Sequence, residues 1–196
     1  MACSYCHNPE LVKGELAKLS AQQVVEFLES RKGLLEGVVL SGGECMMSAQ
    51  LPEFARYLKS LGYKVKIDTN GTNPDMLAEM LGAGLIDYVA LDFKAPSDLF
   101  SGITGYDGYA SFDHSLALLV AAGVGLEVRT TVHADLLDEE DINAIIRRLE
   151  DVGFTGTYYL QNFRSGKTLG NLGSPFASFD LSRLSKSSFT LGTRNF

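Results

Sequence analysis

Short apolar segments alternate with longer amphipathic segments along most of this chain, and this alternation limits its fold more than any other feature. The apolar segments are rich in β-branched and aromatic residues, as strands are. They lie at 37–41, 63–68, 85–93, 125–133 and 156–163. A strand, helix, strand order repeated this often predicts a parallel sheet with right-handed crossovers, either open or curled into a barrel.

The segments between the predicted strands carry helix start and stop signals. A capping box formed by Ser20 and Gln23 precedes apolar residues at helical spacing, and a second helix is predicted to end at Gly62. Further helices are predicted at 74–81, 112–122 and 138–152, and the last begins with acidic residues that complement the helix dipole. From residue 164 onward the alternation stops, and the pattern predicts no element there.

Composition and charge exclude several classes of function. The chain has 196 residues, 45% of them hydrophobic, which suffices for one domain with a sizeable core. Its formal net charge of −7 argues against nucleic acid as a partner, because nucleic-acid binding usually requires a basic patch. No segment approaches the roughly 18 apolar residues of a membrane span, and the N-terminus lacks the pattern of a secretion signal. We therefore expect a cytoplasmic protein that binds neither nucleic acid nor a membrane.

Every predicted strand leads into polar residues at its C-terminal end, where parallel α/β folds collect their functional groups. A ring of such residues would suit a zwitterionic ligand, with Glu44 next to an ammonium group and Arg129 next to a carboxylate. Each residue also has a structural alternative, since Gly42-Gly43 could form a plain turn and Arg129 could pair with Glu127. The strand exits are Ser41-Gly42-Gly43-Glu44, Asp68-Thr69-Asn70-Gly71, Asp92-Phe93-Lys94, 129–133 and Gln161-Asn162.

Cys3 and Cys6 form a C-x-x-C pair at the start of the chain. The sequence has three cysteines and no secretion signal, which disfavours a disulfide framework and favours metal binding or redox chemistry. A thioredoxin-like pair would need a helix that starts within the motif, and Pro9 disfavours that helix. A zinc site would need two further ligands, for which His7 and Cys45 are candidates.

Four motifs in this order resemble the radical S-adenosylmethionine activases of glycyl radical enzymes. The resemblance is greatest to the anaerobic ribonucleoside-triphosphate reductase activating proteins, with pyruvate formate-lyase activating enzyme as a relative, and it extends from Cys3 to about Leu169. It implies an α/β fold, a partial (β/α)6-type barrel of parallel strands over 1–169, with a C-terminal tail of undefined structure over 170–196. The motifs are Cys3-Ser4-Tyr5-Cys6-His7-Asn8-Pro9, Ser41-Gly42-Gly43-Glu44, Asp68-Thr69-Asn70-Gly71 and Asp92-Phe93-Lys94.

The family signature C-x3-C-x-aromatic-C is matched in part. Cys3, Tyr5 and Cys6 correspond to its second cysteine, its aromatic residue and its third cysteine. The first cysteine would precede Met1, as would the first barrel strand, so the resemblance implies a chain shortened at its front. Cys45 stands where the family commonly has proline. It is either a substitute ligand or, as free cysteines usually are, a small buried apolar residue.

The resemblance also implies a reaction. A [4Fe-4S] cluster held by three thiolates chelates S-adenosylmethionine and cleaves it by one-electron reduction, and the resulting 5'-deoxyadenosyl radical takes a hydrogen atom from a glycine of a partner enzyme. The partner implied is anaerobic ribonucleotide reductase, and the electron donor would be a flavodoxin or ferredoxin. Cys3 and Cys6 would be metal ligands, and no side chain is assigned as catalytic. The residues implied for S-adenosylmethionine binding are Gly42, Gly43, Glu44, Asp68, Thr69, Asp92 and Arg129, of which Asp68, Thr69 and Asp92 could also frame a monovalent cation.

Two other functions stay open at this point. The chain could be a cluster-deficient, non-catalytic barrel that binds a metal or a partner. Alternatively, Lys94 could form a Schiff base as in aldolases, although Asp92 would oppose the lowered pKa that this chemistry needs. His133 and Gln161 are expected at the same barrel mouth by their strand-end positions alone, and a structural role is the favoured interpretation for His133.

Overall fold

The fold is a single sheet of parallel strands with helices on its outer face. The computed structural model describes residues 1–10, 14 and 19–196. Each strand pairs in parallel with the next one along the chain, in the order β1 to β6. The strands are β1 Gly37–Leu40, β2 Lys64–Thr69, β3 Tyr88–Asp92, β4 Gly125–Val132, β5 Thr157–Asn162 and β6 Thr190–Arg194.

The sheet is open, because β1 and β6 do not pair with each other among the described residues. This confirms the predicted α/β fold and its partial barrel. Within residues 19–196 the α-helices are α1 Ala21–Ser30, α2 Leu51–Ser60, α3 Pro74–Gly82, α4 Ser97–Thr104, α5 Tyr109–Ala122 and α6 Glu139–Asp151. None of the described helices is long and apolar enough to cross a membrane.

All five predicted strands are present within a few residues of the expected bounds, and the capping boxes at Ser20 and Asp138 both form. The sequence pattern missed one α-helix and one strand of the described residues. Helix α4 has only eight residues, which is too short for helical spacing to stand out. Strand β6 has only one large apolar residue, Leu191, so it carries little of a strand's usual signal, yet it extends the sheet beyond β5. The domain boundary at 169 stays a prediction.

Strand side chains alternate between the two faces of the sheet, and the two faces differ in chemistry. On the outer face, Ile67, Val128 and Tyr158 are fully buried and belong to the same apolar core as helix residues such as Leu77 and Leu116. On the concave inner face the strands carry mostly polar and charged residues. The helices therefore cover only one face, and the inner face is left to form a site.

The turn after β2 depends on glycine. Gly71 has a φ of +72°, and an added Cβ would lie 3.0 Å from both Leu91 Cδ1 and Phe112 Cδ2. Its carbonyl accepts a hydrogen bond of 2.7 Å from Ser115 Oγ of α5. The turn is thus fixed against the core, and it sets the position of the polar residues at the end of β2.

We predict that Gly71→Ala destabilises the protein by about 2–4 kcal/mol, since it combines a left-handed backbone with overpacking of the core. Gly84 is a matched control, because its φ is +65° and an added Cβ would meet nothing within 4 Å. Gly84→Ala should cost only the backbone part, about 1 kcal/mol. Urea unfolding measures both, and equal losses would contradict the packing argument.

Candidate cofactor-binding site

A cavity of about 260 Å³ lies at the C-terminal edge of the sheet, on its inner face. The ends of β1 to β4 form one part of its wall, and the N-terminal segment with its two thiols forms another. All the residues that the sequence implied for the site come together here. They are Cys3, Cys6, Gly42, Gly43, Glu44, Asp68, Thr69, Asp92 and Arg129.

The thiol-bearing segment is held by backbone hydrogen bonds. The N–H of Cys6 donates to the carbonyl of Cys3 over 3.0 Å, which closes a turn. From the other end of the chain, the N–H of Leu169 donates to the Cys6 carbonyl (2.9 Å) and that of Gly170 to the Ser4 carbonyl (2.8 Å). The segment that follows β5 therefore fixes the thiols at the cavity.

Burial distinguishes the two thiols. Cys3 is only 6% exposed, whereas Cys6 is partly exposed. Burial raises the pKa of the Cys3 thiol above its ordinary value, although the nearby ammonium group of Lys94 acts in the opposite direction. The Lys94 Nζ also lies 5.9 Å from the centroid of the Tyr5 ring.

The Glu44 carboxylate is oriented by neutral donors. It accepts hydrogen bonds from Thr69 Oγ1 (2.8 Å), the Asn70 N–H (2.7 Å) and the Met46 N–H (3.1 Å). No Lys or Arg among the described residues forms an ion pair with it. Its negative charge is therefore rigidly placed and uncompensated, which suits a cationic ligand.

Arg129 joins the ends of three neighbouring strands. Its Nε donates to Asp92 Oδ1 (2.9 Å), and its Nη1 donates to Asp68 Oδ2 (3.2 Å). Burial lowers the pKa of Arg129, but the two carboxylates outweigh this effect and raise it. The sequence alternative of a surface pair with Glu127 is correct only in part, since Glu127 Oε1 lies 3.7 Å from Arg129 Nη1 but Arg129 lines the cavity.

Lys94 is paired with Asp92 over 2.9 Å. Burial by itself lowers the pKa of Lys94, but the negative charge of Asp92 outweighs burial, so the pKa lies above its ordinary value. A Schiff base requires a neutral amine, which this environment disfavours. The aldolase-like alternative therefore loses its physical basis.

Two residues of the cavity wall have a buried oxygen without a hydrogen-bond partner among the described residues, the Tyr5 hydroxyl and Asp68 Oδ1. Asp68 Oδ1 is buried and accepts no hydrogen bond, and Lys66 Nζ lies 3.6 Å from it. Buried carboxylate oxygens normally accept a hydrogen bond. An oxygen without one, in a residue that lines a cavity, indicates a place for a hydrogen-bond donor of a ligand or for a cation.

Two residues that the sequence placed at the barrel mouth, His133 and Gln161, do not line the cavity. His133 is buried, its Nε2 lies 3.1 Å from the Gly173 carbonyl, and it does not line the cavity. Gln161 accepts a hydrogen bond from Arg194 and is also absent from the cavity wall. The expectation that both reach the cavity mouth is not met, because the C-terminal part of the chain holds them, His133 through Gly173 and Gln161 through Arg194.

Cys45 is also held away from the other two thiols. It donates to the Asp68 carbonyl over 3.4 Å, and burial raises its pKa to about 12. Among the described residues, no group of three or more Cys, His, Asp and Glu side chains could hold a metal ion. Cys45 therefore does not complete a ligand set with Cys3 and Cys6 in this arrangement.

The cavity wall also includes Asn8 and Thr131, which lie in the first motif and in the β4 exit but which the sequence analysis did not assign as binding residues. Thr131 could have been found by strand alternation, because it lies two residues after Arg129 and so shares its face. Asn8 had no comparable signal, because its place depends on how the N-terminal segment lies across the sheet.

Comparison with known proteins agrees with this geometry. The sequence model of the Radical SAM superfamily matches residues 1–152. The chain belongs to the radical SAM superfamily. A Methanocaldococcus jannaschii protein, whose name assigns it as a glycyl-radical enzyme activating enzyme, is 33% identical over 172 residues, which are 83% of this chain and 68% of that protein.

A second relative is the pyruvate formate-lyase-activating enzyme of Clostridium pasteurianum, 30% identical over 159 residues. The match covers 78% of this chain and 64% of that enzyme, so the chain spans about two thirds of the length of both relatives. The crystal structure of Streptococcus suis SuiB bound to S-adenosylmethionine superposes with a TM-score of 0.66 over 86% of this chain and 37% of SuiB. At 14% identity, this likeness shows the shared fold only.

We predict that Gly170→Ala displaces the thiol segment, because an added Cβ would lie 2.8 Å from Ser4 Cβ and 3.0 Å from its Cα and carbonyl oxygen. Alkylation of Cys3, followed site by site with mass spectrometry, should become several-fold faster. Gly173→Ala is the control, because an added Cβ there meets nothing within 4 Å. Unchanged Cys3 alkylation in Gly170→Ala would contradict the proposed role of this close approach.

The Asp92 ion pairs should give the stability a defined pH dependence. Burial raises the pKa of Asp92, but Lys94 and Arg129 outweigh burial and hold it below the ordinary value of 3.8. Such a carboxylate stabilises the fold above pH 3.8, and this contribution is lost as the pH falls through the lower folded-state pKa. The difference in unfolding free energy between wild type and Asp92→Asn should therefore shrink below pH 3.8 in denaturant titrations. A difference independent of pH would contradict the assignment.

Proposed function

We propose that this chain binds S-adenosylmethionine in the cavity at the C-terminal edge of the sheet and acts as an activase that generates a glycyl radical on a partner enzyme. The observation that carries the proposal is that two thiols, an uncompensated glutamate and the Asp68–Arg129–Asp92 ion pairs line one cavity. Membership of the radical SAM superfamily and the two activase relatives support the same reaction class.

The charge of the cavity complements S-adenosylmethionine. The charged side chains on its wall are Glu44, Asp68, Asp92, Lys94 and Arg129, which sum to −1. S-adenosylmethionine carries a sulfonium, an ammonium and a carboxylate group, which sum to +1. We assign the ammonium group to Glu44, because its carboxylate is the one on the cavity wall without a cation partner among the described residues.

Arg129 and Asp68 would serve the rest of the ligand. Arg129 already donates hydrogen bonds to two carboxylates, so its positive charge is largely balanced. We assign it as a hydrogen-bond donor to the carboxylate or the ribose of S-adenosylmethionine. Asp68 Oδ1, which lacks a hydrogen-bond partner within the described chain, would accept from a ligand hydroxyl or bind a monovalent cation together with Thr69 and Asp92. Gly42 has a φ of +144° and open space in front of it, which lets the ligand approach the backbone.

The thiols fit an iron–sulfur cluster only in part. Cys3 and Cys6 would supply two of the three thiolates that a [4Fe-4S] cluster of this family takes, and the described residues do not supply the third. When bound, such a cluster would supply the electron that cleaves S-adenosylmethionine. The chain's own residues would bind and orient the substrate and exclude water from it.

The partner we propose is anaerobic ribonucleotide reductase, with a flavodoxin or ferredoxin as electron donor. The four motifs resemble the activating proteins of that reductase most closely, and no cysteine follows Cys45 in the sequence, so the chain lacks the cysteine-rich insertion of larger activases. The open side between β1 and β6 would admit a glycine-bearing loop of the partner.

The incomplete thiol set favours one other candidate function. A chain with two cysteine ligands would hold an oxygen-labile cluster weakly, and it could act as a non-catalytic barrel that binds a metal or a partner protein. The two candidates differ in one measurable respect, which is whether the protein cleaves S-adenosylmethionine.

The deciding experiment is anaerobic reconstitution with iron and sulfide, followed by EPR spectroscopy with and without S-adenosylmethionine. An activase should give a four-iron signal that changes on addition of S-adenosylmethionine, release 5'-deoxyadenosine, and produce a glycyl radical signal on anaerobic ribonucleotide reductase but not on pyruvate formate-lyase. A radical only on pyruvate formate-lyase would overturn the choice of partner. Binding of S-adenosylmethionine without cleavage would favour the non-catalytic alternative.

Binding itself can be tested through Glu44. We predict that Glu44→Gln weakens S-adenosylmethionine binding about tenfold or more in equilibrium dialysis, because it removes a charge-assisted hydrogen bond. Glu79→Gln is the matched control, since the Glu79 side chain is 57% exposed and lies on the opposite side of the sheet in α3. Equal affinities of Glu44→Gln and wild type would exclude Glu44 as the ammonium ligand.

A further inference from the structure

The ion pairs of the cavity continue beyond it along the inner face of the sheet. Lys66 Nζ lies 3.6 Å from Asp68 Oδ1 and 3.3 Å from Glu127 Oε1, and Arg194 Nη2 donates to Glu127 Oε2 over 3.2 Å. We call Lys66, Glu127 and Arg194 the outer ion group. None of them lines the described cavity, and the sequence motifs did not include them.

Glu127 lies at the centre of this group. Its side chain is only 8% exposed, and it faces Lys66, Arg194 and, at 3.7 Å, Arg129. A carboxylate that is buried this deeply must be paired, and here it is paired with three cations. Since Lys66 and Arg129 also both contact Asp68, the four side chains form a closed ring of alternating charge.

Arg194 is itself held firmly from the opposite side. Its Nη1 donates to Gln161 Oε1 over 3.2 Å, and its guanidinium carbon lies 3.7 Å from the centroid of the Tyr159 ring. Tyr159 in turn lies over Gly192, where an added Cβ would come within 2.6 Å of the ring. The last strand is thus fixed to β5 and presents its arginine to Glu127 in one orientation.

We propose that Arg194 and Glu127 are positioning residues that hold Arg129, and through it Asp68, in the cofactor cavity. The last strand of the sheet then belongs to the site, although it contributes nothing to the cavity wall. Removal of Arg194 leaves Glu127 with one cation fewer, so Glu127 attracts Arg129 more strongly and draws its guanidinium away from Asp68 and Asp92. The ligand affected rests on the proposed function, whereas the positioning itself does not.

The direct test observes Arg129 in the ligand-free protein. Buried, ion-paired arginines give a slowly exchanging side-chain Nε–H signal in nitrogen-15 NMR spectra, and Arg129→Lys identifies the signal by its loss. Arg194→Gln should accelerate exchange of this proton several-fold, because Glu127 then draws Arg129 away from Asp92. Glu127→Gln should also accelerate it several-fold, because Arg129 loses the carboxylate that lies 3.7 Å from its Nη1. Arg194→Lys should keep exchange slow, because it keeps the positive charge. Arg164→Gln is the control, because Arg164 lies in the same C-terminal part of the chain but donates to Asn195 outside the ion pairs.

Arg129 exchange at the wild-type rate in a folded Arg194→Gln protein would overturn the proposal. Thermal unfolding establishes that each variant is folded, and Glu127→Gln provides the same test if Arg194→Gln does not fold. A purely structural role predicts a lower melting temperature in both Arg194 variants with no selective change at Arg129.

A second measurement links positioning to the ligand. Arg194→Gln should weaken S-adenosylmethionine binding about fivefold, Arg194→Lys should stay near wild type, and Arg194→Gln should have no further effect in a Glu127→Gln background. If the wild-type protein does not bind S-adenosylmethionine, the proposed function fails, and the NMR comparison still decides the positioning role. If it binds and all variants bind equally, the link to the site is refuted.

Discussion

The salt bridges of Arg129 with Asp68 and Asp92 are the interaction on which the site depends. They join β4 to the C-terminal ends of β2 and β3, whose side chains would otherwise be independent polar groups at the edge of the sheet. Because the strands are parallel and in register, Asp92 and Arg129 are direct neighbours, and Asp68 lies one strand further along. One guanidinium therefore fixes two carboxylates on the wall of the cavity, with the two-pronged geometry that lysine could not provide.

Buried ion pairs of this kind are a poor source of stability, because desolvation of the charges offsets most of their attraction. Their presence is better explained by what they do to the site. Pairing with Asp92 keeps Lys94 protonated, and pairing with Lys94 and Arg129 keeps Asp92 ionised near neutral pH. Glu44 differs from these paired residues because neutral donors hold its carboxylate, so the cavity keeps one negative charge for a ligand.

The sequence predicted five of the six strands, most helices and the strand exits that line the cavity, because each of these has a local signal: apolar alternation, a capping residue or a polar exit. It was insufficient where a position depends on distant packing. Strand β6 was missed because its residues are mostly polar, and what makes them a strand is the backbone pairing with β5. His133 and Gln161 were misplaced because a strand-end position does not determine which partner a side chain finds. Lys66 and Glu127 lie in mid-strand, where no polar strand exit marks a functional position.

The thiol segment shows the same dependence on distant contacts. Cys3 and Cys6 lie in a short turn that has no helix or strand of its own to fix it, and the backbone of Leu169 and Gly170 supplies the hydrogen bonds that do. Gly170 must be glycine for the two backbones to approach so closely. The C-terminal part of the chain thus contacts the site at two places. Leu169 and Gly170 hold the thiol segment, and Arg194 holds Glu127 next to Arg129. For this reason a site whose motifs all lie before residue 130 depends on residues that follow β5.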